Sequence, residues 1–340
     1  MSKQLSAYTR GFIYAFVHFS VDAACFYFLF SRLSSDPLWW YLAMFYDALA
    51  FVPQNFIGLL NDCFPKMKSG LIGCILVLAA LIVPADIPAL IILGIGNALA
   101  HVGGAYHTLH GSNGKIGPCG IYVSGGSFGV IAGKLAALSG ISILVPLAFI
   151  TISVILTIWV SLNHTDDKND LVIFNITSSV PSVIVILLAF IAVAVRSYMG
   201  YAIPTDWNQT TLQAIVLFSF MGLGKMVGGL LCDYIGYTKT SFISLILSLP
   251  FLLFGNSFMI LSLIGIGLFS MTMPVTVAIL VSKLPKNPCF SFGITTIALF
   301  TGSLPAFFIR PDTLWEHQII VLILAILAAL CIKFSLKKGC

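Results

Sequence analysis

Ionisable side chains inside long apolar runs are the first candidates for chemistry in this sequence. Tyr14, His18 and Asp22 follow one another at intervals of four residues, and so do Asn97 and His101. Residues four apart lie on one face of a helix. Because burying a charge is costly unless it has a partner, such a face normally lines a cavity or meets another polar group. Carboxylates and imidazoles in this arrangement predict a proton relay.

A second carboxylate, Asp47, lies in the next apolar run. With Asp22, His18 and His101 it completes the predicted relay. One alternative is a static polar network that only satisfies buried groups. Another is a sodium site, because the two carboxylates are hard oxygen ligands.

Polar and basic side chains in the apolar runs are the candidates for substrate contact. Lys225 or Lys134 would place a point charge where an anion could bind. A permanent ion pair of Lys225 with Asp22 or Asp47 is an equal alternative. Arg196 is predicted at the outer end of its run, where it either guides an anion or extends towards solvent. The predicted substrate-contacting residues are Lys225, Lys134, Asn97, Tyr14, Gln54 and Arg196.

The apolar runs identify the environment in which these groups act. The chain has 340 residues, of which 59% are hydrophobic and 9% charged, and its mean hydropathy is +1.04. A soluble domain carries about 25% charged residues, so this composition predicts a protein embedded in lipid. Apolar runs of about 20 residues are typical of membrane-spanning helices. We predict an all-α membrane protein with twelve transmembrane helices, at 8–31, 38–60, 70–85, 88–110, 119–140, 143–162, 179–200, 211–232, 239–255, 257–282, 291–309 and 316–336.

Basic residues predict the orientation of these helices. If both termini are cytoplasmic, only Arg32, Arg196 and Arg310 of the 17 Lys and Arg residues lie on the outer side. Cytoplasmic loops carry an excess of Lys and Arg, so the bias predicts that both termini are inside. The one long polar connection, 163–178, would be a central cytoplasmic loop between an N-terminal six-helix bundle, 1–162, and a C-terminal one, 179–340.

Small residues predict where helices approach closely. Gly125, Gly129 and Gly133 recur every four residues on the fifth predicted helix. Such a glycine face lets two helix backbones come together in a membrane.

A short motif occurs twice, at an offset of half the chain. The second predicted helix ends in GLLND, which closes on Asp62, and the eighth ends in GLLCD, which closes on Asp233. The second copy continues through Gly236 to Lys239 and resembles the loop signature of the major facilitator superfamily, whereas the first copy is degraded. The segment from Arg196 to Gly200 and the glycine-rich segment after His101 are similar to bacterial fosmidomycin-resistance exporters of that superfamily.

The resemblance implies two six-helix bundles around a central cavity and transport by alternating access. It also implies a cytoplasmic gate at Asp62, Asp233 and Lys239. A carboxylate at a helix end can cap the N-terminus of a neighbouring helix. The alternative is that both Asp residues merely end their helices at the water boundary.

These features predict a secondary active transporter for a small organic solute, an anion being one candidate, with proton coupling. A Na⁺-coupled symporter and a non-transporting membrane receptor or assembly partner are the alternatives. The sequence carries no phosphate-binding loop or nucleophile motif, so we predict no enzyme activity, no cofactor and no metal site. Its scattered basic residues predict no nucleic-acid partner. We expect a monomer in the bacterial cytoplasmic (inner) membrane.

Overall fold

Helices account for most of the protein. The computed structural model describes residues 5–64, 66–163, 171–309 and 311–337, and its helical elements join into twelve segments there. They are α1 Ala7–Leu33, α2 Trp39–Cys63, α3 Ser69–Ile82, α4 Asp86–Leu109, α5 Gly117–Leu138, α6 Leu144–Asn163, α7 Ser182–Ala202, α8 Thr211–Ile235, α9 Tyr237–Phe254, α10 Met259–Lys283, α11 Pro288–Phe307 and α12 Leu314–Ser335. Eleven of them are long and apolar enough to cross a membrane, and α3 is shorter, with 14 residues. The chain is therefore a multi-pass membrane protein, whereas the count of twelve spans stays a prediction.

Proline interrupts several of these helices. In α2 the regular α-helix is interrupted at Val52, directly before Pro53. In α10 it is interrupted at Met271, three residues before Pro274. A proline ring removes one backbone donor and displaces the carbonyl four residues earlier. Both breaks in the helical hydrogen-bond pattern fall within the apolar stretches of α2 and α10.

The packing of the first six helices recurs in the last six. Helix α1 packs on α5 and α3 packs on α4, and the counterparts six helices later, α7 with α11 and α9 with α10, also pack together. Between the two sets, α2 packs on α11 and α5 packs on α8. The contacts between the halves therefore repeat as well, since the second helix of each half packs on the fifth helix of the other half.

The predicted glycine face brings α1 and α5 into backbone contact. A Cβ atom added at Gly125 would lie 2.0 Å from the carbonyl oxygen of Ala15, and one at Gly133 would lie 2.1 Å from that of Ala23. No side chain fits at those distances, so the prediction of a close-packing face is confirmed. This contact fixes the polar face of α1 against the middle of α5.

Candidate functional site

Asp22 is the centre of a buried polar cluster. The His18 Nε2 atom lies 3.2 Å from one carboxylate oxygen, and the His101 Nε2 atom lies 3.8 Å from the other. Asn97 donates a hydrogen bond of 3.0 Å to Asp22. The exposed fractions of Asp22 and His101 are 9% and 8%. Four of the residues singled out in the sequence are thus brought together by α1 and α4.

Backbone carbonyls determine which histidine nitrogens face Asp22. The Nδ1 atom of His18 is 3.1 Å from the carbonyl oxygen of Tyr122, and that of His101 is 2.9 Å from the carbonyl oxygen of Asn97. A carbonyl oxygen only accepts hydrogen bonds, so each Nδ1 carries a proton. Both Nε2 atoms are therefore directed at the Asp22 carboxylate. The carbonyl of Tyr122 comes from α5, and nothing in the sequence around His18 indicates it.

The wall of the cluster on α5 is Gly126. A Cβ atom there would lie 2.3 Å from His18 Nε2 and 2.7 Å from the Asp22 carboxylate. The next residue, Ser127, accepts a hydrogen bond of 2.8 Å from the Lys225 ammonium group of α8. Adjacent positions of α5 therefore connect the cluster of the first half to a cation of the second half.

A second cation of the second half lies nearby. The guanidinium group of Arg196 is 8% exposed and lies over the ring of Phe269, 5.5 Å from its centre. Among the described residues no hydrogen-bond partner reaches its Nε or Nη1 atom. Lys225 interacts electrostatically with both Asp22 and Arg196. The Arg196 side chain is buried six residues before the end of α7, and its predicted place at the outer end of the membrane span stays a prediction.

Asp47 does not join the Asp22 cluster. It is half-buried, and no hydrogen bond or ion pair connects it to the part of the chain that the structure describes. Its neighbour Tyr46 faces the cluster instead, and the Tyr46 hydroxyl accepts a hydrogen bond of 3.1 Å from Asn97. Nothing in the sequence singled out Tyr46, since spacing places Asp47 at the right depth but leaves the helix face undetermined.

Two other predicted substrate residues lie in local contacts. The Lys134 ammonium group lies 5.0 Å from the centre of the Phe30 ring. The Gln54 side chain is fully buried and donates to the carbonyl of Ala50. The structure therefore brings neither residue to the Asp22 cluster.

Tyr14 is packed away from any open space. Its ring stacks on His107 at a centroid distance of 5.0 Å, and it is 1% exposed. One turn earlier, Arg10 donates hydrogen bonds of 2.7 Å to the carbonyls of His107 and His110. A cation is favourable at the C-terminus of a helix, so Arg10 holds the end of α4. In the sequence, only the position of Arg10 in the first turn of an apolar run indicated that it has a structural role.

Asp233 caps the first turn of α5. Its two carboxylate oxygens each accept a hydrogen bond of 2.8 Å, one from the backbone N–H of Ile116 and one from that of Gly117. The hydroxyl of Tyr8 donates a third, of 3.2 Å. Because Asp233 belongs to the second half and α5 to the first, this cap joins the two halves.

Asp62 forms the counterpart contact. It accepts hydrogen bonds of 3.1 Å and 2.9 Å from the backbone N–H groups of Cys289 and Phe290, in the first turn of α11. We call these two caps, Asp62 on α11 and Asp233 on α5, the gate, after the role predicted for Asp62, Asp233 and Lys239, which stays a prediction. Lys239 is exposed and forms no ion pair with the described residues. The gate carboxylates therefore bind helix N-termini.

The motif glycines allow the gate to form. A Cβ atom at Gly58 would lie 2.4 Å from the carbonyl oxygen of Cys289, and one at Gly229 would lie 2.9 Å from the Cα of Gly120. Each motif glycine thus permits two backbones from opposite halves to touch, four residues before the carboxylate that caps the partner helix.

Solved structures with a similar architecture were found, although no protein-family model and no curated sequence matches the chain. The fucose:proton symporter FucP of E. coli has a TM-score of 0.60 and 14% identity, over 98% of this chain and all of that one. The human organic anion transporter MFSD10 has a TM-score of 0.66 and 14% identity, over 96% and 99%. A bacterial homologue of the iron transporter ferroportin has a TM-score of 0.58 and 12% identity, over 97% and 98%.

These structures cover nearly the whole chain, and FucP is described as a major facilitator superfamily transporter. Helix order, the repeated packing and the gate motif agree with that likeness. The chain has the fold of the major facilitator superfamily.

Proposed function

We propose that this protein is a secondary active transporter that moves a small organic anion by alternating access, coupled to protons at Asp22. One observation carries the proposal. The Asp22 cluster belongs to the first half, and next to its Gly126 wall Ser127 accepts a hydrogen bond from Lys225 of the second half. Ionisable groups inside a membrane protein are costly to bury and mark substrate or ion pathways.

The charges favour an anion as substrate. Lys225 is bound to a neutral hydroxyl, and two nitrogens of Arg196 have no partner among the described residues. A guanidinium group with free donors binds carboxylate or phosphate oxygens in a fixed geometry. The similar fold of MFSD10, described as an organic anion transporter, supports the same substrate class.

Proton coupling is supported by the composition of the cluster. Asp22 lies within hydrogen-bond distance of His18 and close to His101, so a proton bound there is shared among three groups. The similar fold of the fucose:proton symporter FucP supports this choice of ion. A sodium ion at the same carboxylate is tested in the same assay.

The gate supports alternating access. All four of its backbone hydrogen bonds connect opposite halves, so they must break together when that end opens. We propose that the gate lies on the cytoplasmic side, with both termini there, twelve spanning helices, and the segment 163–178 as the linker between bundles 1–162 and 179–340. We propose a monomer in the bacterial cytoplasmic membrane.

Uptake by proteoliposomes tests the proposal. Purified protein is reconstituted, and the uptake of labelled organic anions is measured with and without an imposed pH gradient, and with Na⁺ at fixed pH. We expect uptake that the pH gradient stimulates, and we expect the Asp22→Asn variant to lose that stimulation. The matched control is Asp206→Asn, at an exposed carboxylate. Absence of flux for every anion, or stimulation by Na⁺ alone, contradicts the proposal.

A further inference from the structure

We propose that a divalent transition-metal ion binds between His18, Asp22 and His101. This inference deepens the proposed function, because it gives the proposed coupling site a second cation that competes with the proton. The ligand atoms of the three residues lie within 4.8 Å of one another. Their order in the sequence did not predict a metal site, since two helices contribute them.

The tautomers of the two histidines are the first argument. Each Nδ1–H donates to a backbone carbonyl, so the Nε2 atom of each imidazole is directed at the Asp22 carboxylate. When both rings are neutral, two nitrogen lone pairs and a negative charge converge there, and a cation between them, either a proton or a metal ion, stabilises the arrangement. Metal-binding histidines typically donate their other N–H to a carbonyl or carboxylate, which fixes the ring. Here both rings are fixed in that way.

The distances are close to those of a metal site. A metal at about 2.0–2.2 Å from nitrogen and carboxylate oxygen holds tetrahedral ligands roughly 3.4 Å apart. His18 Nε2 and His101 Nε2 lie 3.2 Å and 3.8 Å from different carboxylate oxygens of Asp22. All three ligand atoms lie within 4.8 Å of one another, so a metal ion would draw the side chains together. Gly126 leaves the space open, because a Cβ atom there would lie 2.3 Å from His18 Nε2.

The ligand types select the class of metal. Two imidazoles and one carboxylate suit Zn²⁺, Mn²⁺, Fe²⁺ or Co²⁺, whereas Mg²⁺ and Ca²⁺ prefer oxygen ligands only. Asn97 and Tyr46 are the neutral groups at the edge of the cluster. Lys225 is the nearby cation, and it interacts electrostatically with Asp22 and with His101. It opposes a metal ion, so its removal strengthens binding.

Metal titration of the purified full-length protein tests the inference. Co²⁺ is the probe, binding is measured by calorimetry and by the visible absorption of the bound ion, and the affinity tag contains no histidine. We expect binding that weakens as the pH falls, because protons compete for the ligands. His18→Gln and Asp22→Asn should each weaken binding at least about 100-fold, since even the outer partners of metal ligands contribute roughly 10–100-fold. Lys225→Met should strengthen it.

Two histidine variants are the controls. His317 also donates from Nδ1 to a carbonyl, that of Ala202, but lies outside the cluster, so His317→Gln should bind Co²⁺ like the wild type. Asp62, His110 and Cys289 form another group of possible ligands at the gate, and His110→Gln removes it. Thermal unfolding and size-exclusion profiles confirm that each variant is folded.

The outcomes separate this inference from the proposed function. Failure of the wild type to bind Co²⁺, or equal binding by a folded Asp22→Asn variant, overturns the metal site. Loss of binding in His110→Gln rather than in His18→Gln places the metal at the gate, and this result also overturns the proposed site at Asp22. In both cases proton-coupled transport is judged separately by the flux assay, which contains no metal. Conversely, Co²⁺ binding at Asp22 without any anion flux keeps the metal site and refutes the proposed transport.

Discussion

Replacing Asp233 by Asn should open the gate on the α5 side. The aspartate accepts two backbone hydrogen bonds of 2.8 Å from α5, one on each carboxylate oxygen. Asparagine keeps one acceptor and turns an amide group towards the other N–H. A hydrogen bond to a charged group contributes about 1.5–3 kcal/mol. Since about 1.4 kcal/mol is a factor of ten, the ratio of open to closed protein should rise roughly 10- to 150-fold.

A native cysteine reports this opening. Cys119 lies two residues after Gly117 in the first turns of α5 and is fully buried while the Asp233 cap is formed. The rate at which a small maleimide labels Cys119 is measured in nanodiscs, with each labelled site identified by peptide mass spectrometry. Labelling requires the open state, so its rate should rise with the open fraction. The exposed Cys63 calibrates the reagent in every sample.

A matched substitution controls for general loosening of the protein. Asp206 belongs to the same half and pairs with Asn256 at 2.7 Å, a contact that does not join the halves. Asp206→Asn should leave the Cys119 labelling rate within about twofold of the wild-type rate. The reasoning is refuted if folded Asp233→Asn labels Cys119 no faster than Asp206→Asn, because the backbone hydrogen bonds then contribute nothing to closure.

Three further outcomes follow from the packing and the charges. Gly125→Val should lower the free energy of unfolding by about 1–3 kcal/mol, because the new side chain overpacks against α1; thermal unfolding measures the change. Gly200→Ala is the control and should leave stability unchanged, since nothing lies within 4 Å of its Cβ position. Lys225→Met should raise the KM for anion uptake about tenfold or more, since a hydrogen bond to a charged group is lost; an unchanged KM removes Lys225 from the substrate site. Gly229→Ala should speed Cys119 labelling, since a Cβ atom at Gly229 would lie 2.9 Å from a backbone carbon of α5.

Hydropathy and the repeat predicted the helical architecture because lipid imposes one simple rule. Every backbone polar group must be paired within the chain, so long apolar runs become helices. Spacing by four predicted that His18 and Asp22 share a face, and His101 and Asn97 another. Which faces meet depends on tertiary packing, which the sequence does not display.

The errors and omissions have the same origin. Asp47 and Tyr46 are adjacent, and a rotation of about 100° per residue decides which of them reaches Asn97. The depth of Arg196 in the membrane stays a prediction, because hydropathy locates the apolar run but not the depth at which its charge is tolerated. The carbonyl that orients His18 comes from Tyr122, which is 104 residues away in the sequence.

The gate bears on how this sequence could diverge. Each copy of the motif needs a residue without a side chain and, four positions later, a carboxylate, and the copies at Gly58 and Gly229 retain both. The first copy lacks the glycine that follows three residues after the carboxylate in the second copy, and its cap on α11 is still made. The contact requires only the two carboxylate oxygens of the aspartate and the absence of a Cβ atom at the glycine. Most other positions of the motif can therefore change. A fold can therefore be shared at very low sequence identity, as the fold neighbours at 12–14% identity illustrate.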